Sequence, residues 1–206
     1  MINLKQSTPL CPFGSGALEL FDQIIDEQQC YVMSEKLLNE THWNRGEYNV
    51  AGRKFTMPRE QSWYADPGIV YNFSIPLHQH RLWTPVLTRL KHQIEMICNN
   101  PFNSVLINWY RNGLDWVDWH CDNEIELGEK PFIASLSFGA SRRFCYRHKV
   151  TQEFGEIILK NGSLLIMKPI FQQEWLHCIP REKQLKQPRI NLTFRNVMMP
   201  CNNPNK

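Results

Sequence analysis

The sequence predicts a mostly β chain with flanking helices, one domain built around a jelly roll or barrel. Two observations carry this. Beyond Asn100-Pro101 the chain breaks into about eight short apolar or aromatic runs. Most of these are separated by turn signals at Asn112-Gly113, Gly128, Gly139 and Asn161-Gly162. Before that point, two stretches repeat their apolar residues at helical spacing. The 206 residues are 42% hydrophobic, enough for one sizeable core, and contain no internal repeat, low-complexity tract or linker.

In chain order, residues 1–17 hold Pro9, Pro12, Gly14 and Gly16 and read as an irregular leader. Leu18 through Ile25 reads as a strand. Asp26 can then cap a helix over 27–41, with Cys30, Met33, Leu37 and Leu38 on its apolar face. Asn44 to Thr56 is polar, carries Gly46 and Gly52, and reads as a hairpin or mobile loop. Ser62 to Ser74 alternates aromatics with turn residues, as short strands do. Thr84-Pro85 starts a helix over 85–99, with Thr as cap, Pro in the first turn and Val86, Leu90, Ile94 and Ile97 or Cys98 inward. The expected strands follow: Val105–Tyr110, Trp116–Asp122, Phe132–Phe138, Arg142–His148, Glu156–Leu159, Ser163–Lys168, Trp175–Ile179 and Arg189–Val197. Residues 199–206 read as a tail.

A net charge of +3 permits a nucleic-acid partner without requiring one. No apolar run approaches the ~18 residues of a membrane span, and the N-terminus lacks the apolar core of a signal peptide. The seven cysteines are odd in number and show no C-x-x-C pair, which points to a reducing, intracellular setting. The expectation is a monomer in the cytoplasm of a bacterium or the nucleus of a eukaryote.

The chemistry concentrates around Trp119-His120-Cys121-Asp122 and, far downstream, His177. On a strand, His120 and Asp122 share one face. With His177 they make two imidazoles and one carboxylate, a set that holds Fe(II) and leaves coordination positions open. The run Arg189-Ile190-Asn191-Leu192-Thr193-Phe194-Arg195 alternates polar and apolar, so a strand would aim Arg189, Asn191, Thr193 and Arg195 at one face. Two guanidiniums and an amide in a pocket suit a small dicarboxylate. Trp109, Trp116 and Trp119 read as core, with Trp119 facing away from His120. Arg142, Arg143, Arg147, His148 and Lys149 form a basic cluster, and Arg181 and Lys183 a smaller one. Either cluster could contact phosphates.

With these residues in place the chain resembles the AlkB family of Fe(II)/2-oxoglutarate nucleic-acid dealkylases. The matching runs are Asn108-Trp109-Tyr110, His120 to Glu124, Ile133 to Ala140, Gly162 to Met167, Trp175-Leu176-His177 and Arg189 to Arg195. Weaker matches at Pro58-Arg59 and from Trp63 to Ser74 extend it over residues 18–198. The resemblance is nearest to the animal DNA-repair homologues. It implies a double-stranded β-helix (jelly-roll) core over 101–198, preceded by a nucleotide-recognition extension over 18–100. It further implies Fe(II) on His120, Asp122 and His177, with 2-oxoglutarate and O2 as co-substrates. Arg189 would take the distal carboxylate of 2-oxoglutarate and Arg195 would lie near its keto-acid end, with Asn108, Tyr110 and Asn191 adding hydrogen bonds. Substrate contacts would come from Glu124, Phe73, Tyr71 and Arg59, the aromatics stacking an extruded base.

The implied activity is demethylation of bases of the 1-methyladenine and 3-methylcytosine type in single-stranded or duplex DNA. Formaldehyde, succinate and CO2 would be released. The competing readings are RNA demethylation, protein hydroxylation on the same scaffold, and a non-catalytic nucleic-acid-binding module. Four departures from the pattern stand out: Asn123 replaces a frequent acid, Cys121 lies where a basic residue is common, Ala65 replaces a usual Gly, and Ala51 occupies the wedge position of the Val50-Ala51-Gly52 run.

Overall fold

The computed structural model describes residues 16–50, 52–70 and 81–198. Tyr71, Phe73 and Ala51, most of the expected leader and the tail lie outside these residues.

Local chemistry places each element. β1 (Leu18–Phe21) ends at Phe21 and does not run on to Ile25. Its partner strand starts at Leu164, just after a turn, so nothing continues the ladder, and Ile24 N donates to Gly162 O at 2.9 Å instead. Asp26 caps α1 (Glu27–Glu40), its Oδ1 accepting from Gln29 N at 2.9 Å. The polar 44–56 stretch forms a hairpin of β2 (Glu47–Val50) and β3 (Arg53–Thr56). After β4 (Glu60–Ala65) comes α2 (Pro85–Cys98), with Thr84 Oγ1 accepting from Leu87 N and Asn99 stopping the helix at φ 47°. The eight expected strands are β5 (Ser104–Tyr110), β6 (Val117–His120), β7 (Ile133–Gly139), β8 (Arg142–His148), β9 (Phe154–Leu159), β10 (Leu164–Met167), β11 (Trp175–Ile179) and β12 (Arg189–Arg195). Two short elements are additional, a single 3-10 turn at Ile125–Leu127 and a helix. Pro169 opens a six-residue helix, α3 (Pro169–Glu174), between β10 and β11.

The strands pair antiparallel into a larger sheet, β1-β10-β7-β12-β5-β4, and a smaller one, β6-β11-β8-β9. Leu18, Trp63, Leu106, Leu165 and Met167 from the first pack with Phe144, Leu159, Trp175 and Ile179 from the second, so the sheets face one another as a jelly roll. Both edge strands of the larger sheet, β1 and β4, come from residues 18–100. The same segment supplies α1 and α2, which cover that sheet's outer face. Leu37, Leu87, Leu90 and Ile94 pack there against Ile107, Leu136, Ile166 and Leu192.

β12 shows how two-residue periodicity builds the site. Ile190, Leu192 and Phe194 point to the helices. Arg189, Asn191, Thr193 and Arg195 point into the space between the sheets.

β6 departs from regular alternation. It pairs with β11 through His177↔His120 and Ile179↔Val117, so Asp118 and Trp119 together oppose Cys178. This bulge turns both Val117 and His120 inward. Gly162 has φ +76°, and a Cβ there would lie 2.6 Å from Ile25 O, so glycine meets both the conformation and the close approach. Among the described residues no helix is long and apolar enough to cross a membrane, and the five described cysteines are free.

Candidate active site

Between the sheets lies a cavity of about 360 Å³. His120, Asp122 and His177 meet on its wall, one ligand atom from each lying within 4.8 Å of the others. The route differs from the strand geometry expected. His120 is the last residue of β6, and Asp122 lies beyond the strand, its N–H held at 3.0 Å by the Oε1 of Gln172 on α3. His120 Nδ1 donates to Asp118 O at 2.7 Å, which leaves Nε2 with the lone pair a metal needs. The His177 ring stacks against Phe144 at 5.1 Å and 22°. Its Nε2 lies 3.9 Å from Asp122 Oδ2.

Asp122 is buried and its other oxygen accepts from Arg195 Nη2 at 2.6 Å. Burial opposes the charged carboxylate, but Arg195, His120 and His177 together outweigh it and hold the group at about 2. Burial, aided by His120, pulls His177 down to about 3, so its imidazole is neutral at physiological pH, as a ligand must be.

Arg189 fills the far end of the same wall. It is 1% exposed, and burial lowers it to about 10. Its Nη2 donates to Ser137 Oγ at 3.0 Å and its guanidinium lies over the Tyr110 ring at 5.2 Å. Its Nε and Nη1 find no acceptor among the described residues. A buried cation with unmet donors fits a carboxylate ligand, because leaving them unmet is costly. A two-His, one-carboxylate donor set on the same cavity likewise fits Fe(II).

The remaining expected residues also reach the cavity, with distinct roles. Asn108 Oδ1 accepts from both Arg59 Nε and Gln61 Nε2 at 2.8 Å, which orients its amide N–H groups away from those partners. Asn191 is engaged within the protein. Its Nδ2 donates to Ser135 Oγ at 2.8 Å and its Oδ1 accepts from Thr193 Oγ1 at 3.0 Å. Glu124 lines the cavity, and its Oε2 is buried without a hydrogen-bond partner. Tyr71 and Phe73 lie outside the described residues.

Three expectations are corrected. Most of the basic cluster is structural. Arg142 is 1% exposed and bridges Glu182 Oε1, Asp115 O and Pro180 O, while Arg143 pairs with Glu156. Lys149 Nζ donates to Gln172 O and Gln173 O at the end of α3, and His148 Nδ1 accepts from Thr151 N. Trp116 and Trp119 are half-buried and not core: Trp116 precedes β6 and lies under Arg181 at the cavity, whereas Trp119 faces away from His120 as expected, its ring on the outer face of the smaller sheet against Arg147 and Phe154. The third correction is the strand ending at His120, already described.

Sequence reasoning missed Gln61, Ser135, Ser137 and Gln172. The serines had a visible signal, since they alternate on β7 opposite Thr193 and Asn191. Gln172 had none. It is 1% exposed, and replacing it with methionine removes the acceptor that holds the Asp122 backbone. Gln172→Met is expected to weaken Co(II) binding about tenfold, a loss on the scale of an outer-shell partner of a metal ligand. Titration of the metal-free protein checks this, and Gln172→Glu, which keeps the acceptor, should recover part of the loss.

Comparison with known proteins follows this geometry. The family described as the 2OG-Fe(II) oxygenase superfamily matches residues 17–195. The chain is 37% identical over 198 residues to alpha-ketoglutarate-dependent dioxygenase alkB homolog 3 of Homo sapiens, covering 91% of this chain and 68% of that protein. It is 39% identical over 157 residues to DNA oxidative demethylase ALKBH2 of Mus musculus, covering 72% and 66%. The solved structure of OsALKBH1 superimposes with a TM-score of 0.63 at 16% identity, covering 93% of this chain and 100% of that one. A Pseudomonas putida prolyl-4-hydroxylase gives 0.56 at 10% identity, covering 87% and 92%. At these identities the structural likeness is one of fold.

Proposed function

The chain belongs to the 2OG-Fe(II) oxygenase superfamily, in its AlkB branch, and we propose that it demethylates N-alkylated bases in DNA, of the 1-methyladenine and 3-methylcytosine type. It is an Fe(II)/2-oxoglutarate-dependent dioxygenase. The observation that carries the finer reading is Glu124. Its Oε2 is a buried carboxylate oxygen with no partner, on the cavity that holds the metal ligands. Leaving a charged oxygen so exposed to desolvation costs free energy unless a donor or cation arrives. A base alkylated on a ring nitrogen brings both, a positive charge and an exocyclic amine. That the curated relatives include proteins named for DNA oxidative demethylation supports the same reading.

His120, Asp122 and His177 would hold Fe(II), and Arg189, with Asn108 and Tyr110 beside it, would hold 2-oxoglutarate. When bound, iron with 2-oxoglutarate and O2 supplies the oxidation of the N-alkyl carbon, after which formaldehyde leaves and the base is restored. The protein's own contribution is orientation and shielding. Arg195 fixes one oxygen of Asp122, so the other faces His177. Arg59 and Gln61 hold Asn108 in one orientation. Asn191 would act through Ser135 and Thr193 by bracing the β7 and β12 wall. Glu124 would accept a hydrogen bond from the target base, and Tyr71 and Phe73 would stack on it.

The direct test measures formaldehyde and succinate side by side with methylated single-stranded DNA, duplex DNA and RNA of one sequence. Formaldehyde from DNA is the expected result. Release from RNA alone would move the substrate to RNA, and release from neither would end the reading. A further expectation concerns strand preference. By its place in the Val50-Ala51-Gly52 run ahead of Pro58-Arg59, Ala51 would replace the wedge side chain that the family resemblance implies, and a methyl group offsets little of the few kcal/mol that unstacking costs. Single-stranded substrate should be repaired at least as well as duplex, and Ala51→Phe should raise the duplex-to-single-strand ratio. A strong wild-type preference for duplex, unchanged in Ala51→Phe, would assign the wedge to another side chain.

A further inference from the structure

Cys145 and Cys178 meet across two strands. They are a direct pair in the ladder between β8 and β11, one step along from the pair Tyr146 and His177. Phe144 and Tyr146, on either side of Cys145, point between the sheets, and so do His177 and Ile179, on either side of Cys178. Alternation therefore puts both sulfurs on the outer face of the smaller sheet. The Cys178 thiol donates a hydrogen bond to the Cys145 sulfur. The other described cysteines are placed differently. Cys30 lies on α1, Cys98 on α2 and Cys121 beyond β6, and all five described cysteines are free.

Residues directly opposed in an antiparallel ladder have Cα atoms about 4.5 or 5.5 Å apart. Both spacings fall within the ~4.4–6.8 Å that a disulfide spans, so the bond can close without moving either strand. We propose that Cys145 and Cys178 are a peroxide-sensitive modification site, closing to a reversible disulfide that clamps β8 to β11. The Cys145 sulfur attacks one oxygen of hydrogen peroxide, the O–O bond breaks and one water leaves, which makes Cys145 a sulfenic acid. The Cys178 sulfur then displaces that hydroxyl as a second water. The two thiol protons leave in the waters, and the two sulfurs supply the two electrons that reduce the peroxide.

The surroundings set the order and the pace. Cys145 accepts the hydrogen bond from Cys178 and has Arg143 two residues away on the same face, so its sulfur is the one attacked first. Cys145 is 4% and Cys178 5% exposed, and burial raises both thiols above their ordinary range. Buried thiols react slowly, so the site responds to sustained peroxide and not to a brief pulse. The clamp also bears on the metal site, whatever the substrate. His177 precedes Cys178, and its ring stacks on Phe144, which precedes Cys145. A bond on the outer face thus ties together the two strands whose inner faces carry that stack.

The test exposes the full chain, free of metal so that iron does not consume the oxidant, to hydrogen peroxide. The protein is then unfolded in N-ethylmaleimide and its peptides are mapped without reductant. The expected product is a peptide pair joined through Cys145 and Cys178, released by dithiothreitol. The oxidised protein should melt about 5 °C or more higher, the scale of one such bond in a chain of this size. Its Co(II) affinity should stay within about twofold of the reduced protein's, since no strand moves. Cys145→Ser and Cys178→Ser should each lose the joined peptide and the rise in melting temperature. In Cys178→Ser, Cys145 should pass on to sulfinic acid, having no partner to condense with. If a serine variant fails to fold, the wild-type peptide map decides alone. Treated wild type in which both cysteines still carry maleimide, are joined to other cysteines, or end as sulfinic acid would overturn the site. A joined peptide with an unchanged or lower melting temperature, or with Co(II) binding weakened about tenfold, would overturn the unstrained clamp.

Discussion

Asp122→Ala is expected to abolish succinate formation and also to lower the melting temperature, whereas His120→Ala abolishes succinate formation and leaves the fold intact. The difference comes from what each side chain holds. His120 ends β6 half-buried; its ring donates to the neighbouring Asp118 carbonyl and rests against the His177 ring at 4.2 Å, and it pairs with no buried charge at hydrogen-bond distance among the described residues. Asp122 is buried against Arg195 at 2.6 Å. Removing the carboxylate takes away the charged partner that guanidinium holds in a dry site, a change that costs on the order of 3–5 kcal/mol. Because Asp122 titrates at about 2 in the fold, below the ~3.9 of an unfolded chain, its stabilisation is fully present above the unfolded value. It is lost as pH falls through the folded one. The variant's deficit should therefore shrink as pH falls from 4 toward 2. His177→Ala should also abolish turnover. Near-normal succinate formation in any of the three variants would remove the assigned iron site.

The second large effect is at Arg189. Arg189→Ala is expected to raise the KM for 2-oxoglutarate at least about 30-fold. Loss of a buried, charged carboxylate partner costs about 2–5 kcal/mol, and each 1.4 kcal/mol is tenfold. The same residue makes an opposite prediction for the protein without ligand. Its guanidinium is wholly buried, with Nε and Nη1 unmet. Arg189→Met should therefore leave the melting temperature of the ligand-free protein unchanged or higher while co-substrate binding collapses, the trade expected of a preorganised site. An unchanged 2-oxoglutarate dependence in Arg189→Ala would detach this residue from the co-substrate.

How much of this was legible from residues alone follows from the range of the interactions. The β12 wall was legible because a strand's alternation is local, and Arg189 to Arg195 writes it out in seven letters. The Thr84-Pro85 helix start was legible for the same reason. The metal triad was legible as a set, but its geometry was not. Asp122 is placed by Gln172, a residue distant in sequence on a helix of six residues, too short to leave a periodic trace. The basic cluster misled because charge alone does not reveal a partner. Arg142 looks like a surface arginine until Asp115 O from one loop, and Pro180 O and Glu182 from another, are brought to it. Trp119 was read as core because alternation gives a face and not its burial: it does face away from His120, but that face of the smaller sheet is open to solvent, as Phe154 and Ile158 show.

The edges of the larger sheet have a consequence for how the chain is made. Among the described residues Leu18 precedes every other strand residue, yet its partner is Met167 on β10. β4 must similarly wait for β5, across the whole of α2. During synthesis from the N-terminus, the strands that will seal the sheet exist before there is a sheet to seal. Until β7, β10 and β12 have been translated, the apolar faces of β1, α1 and α2 have no surface to cover. Pairings this distant make folding slow and leave the nascent chain prone to association. Chaperone dependence should therefore fall sharply only once the ribosome has released the segment through Arg195.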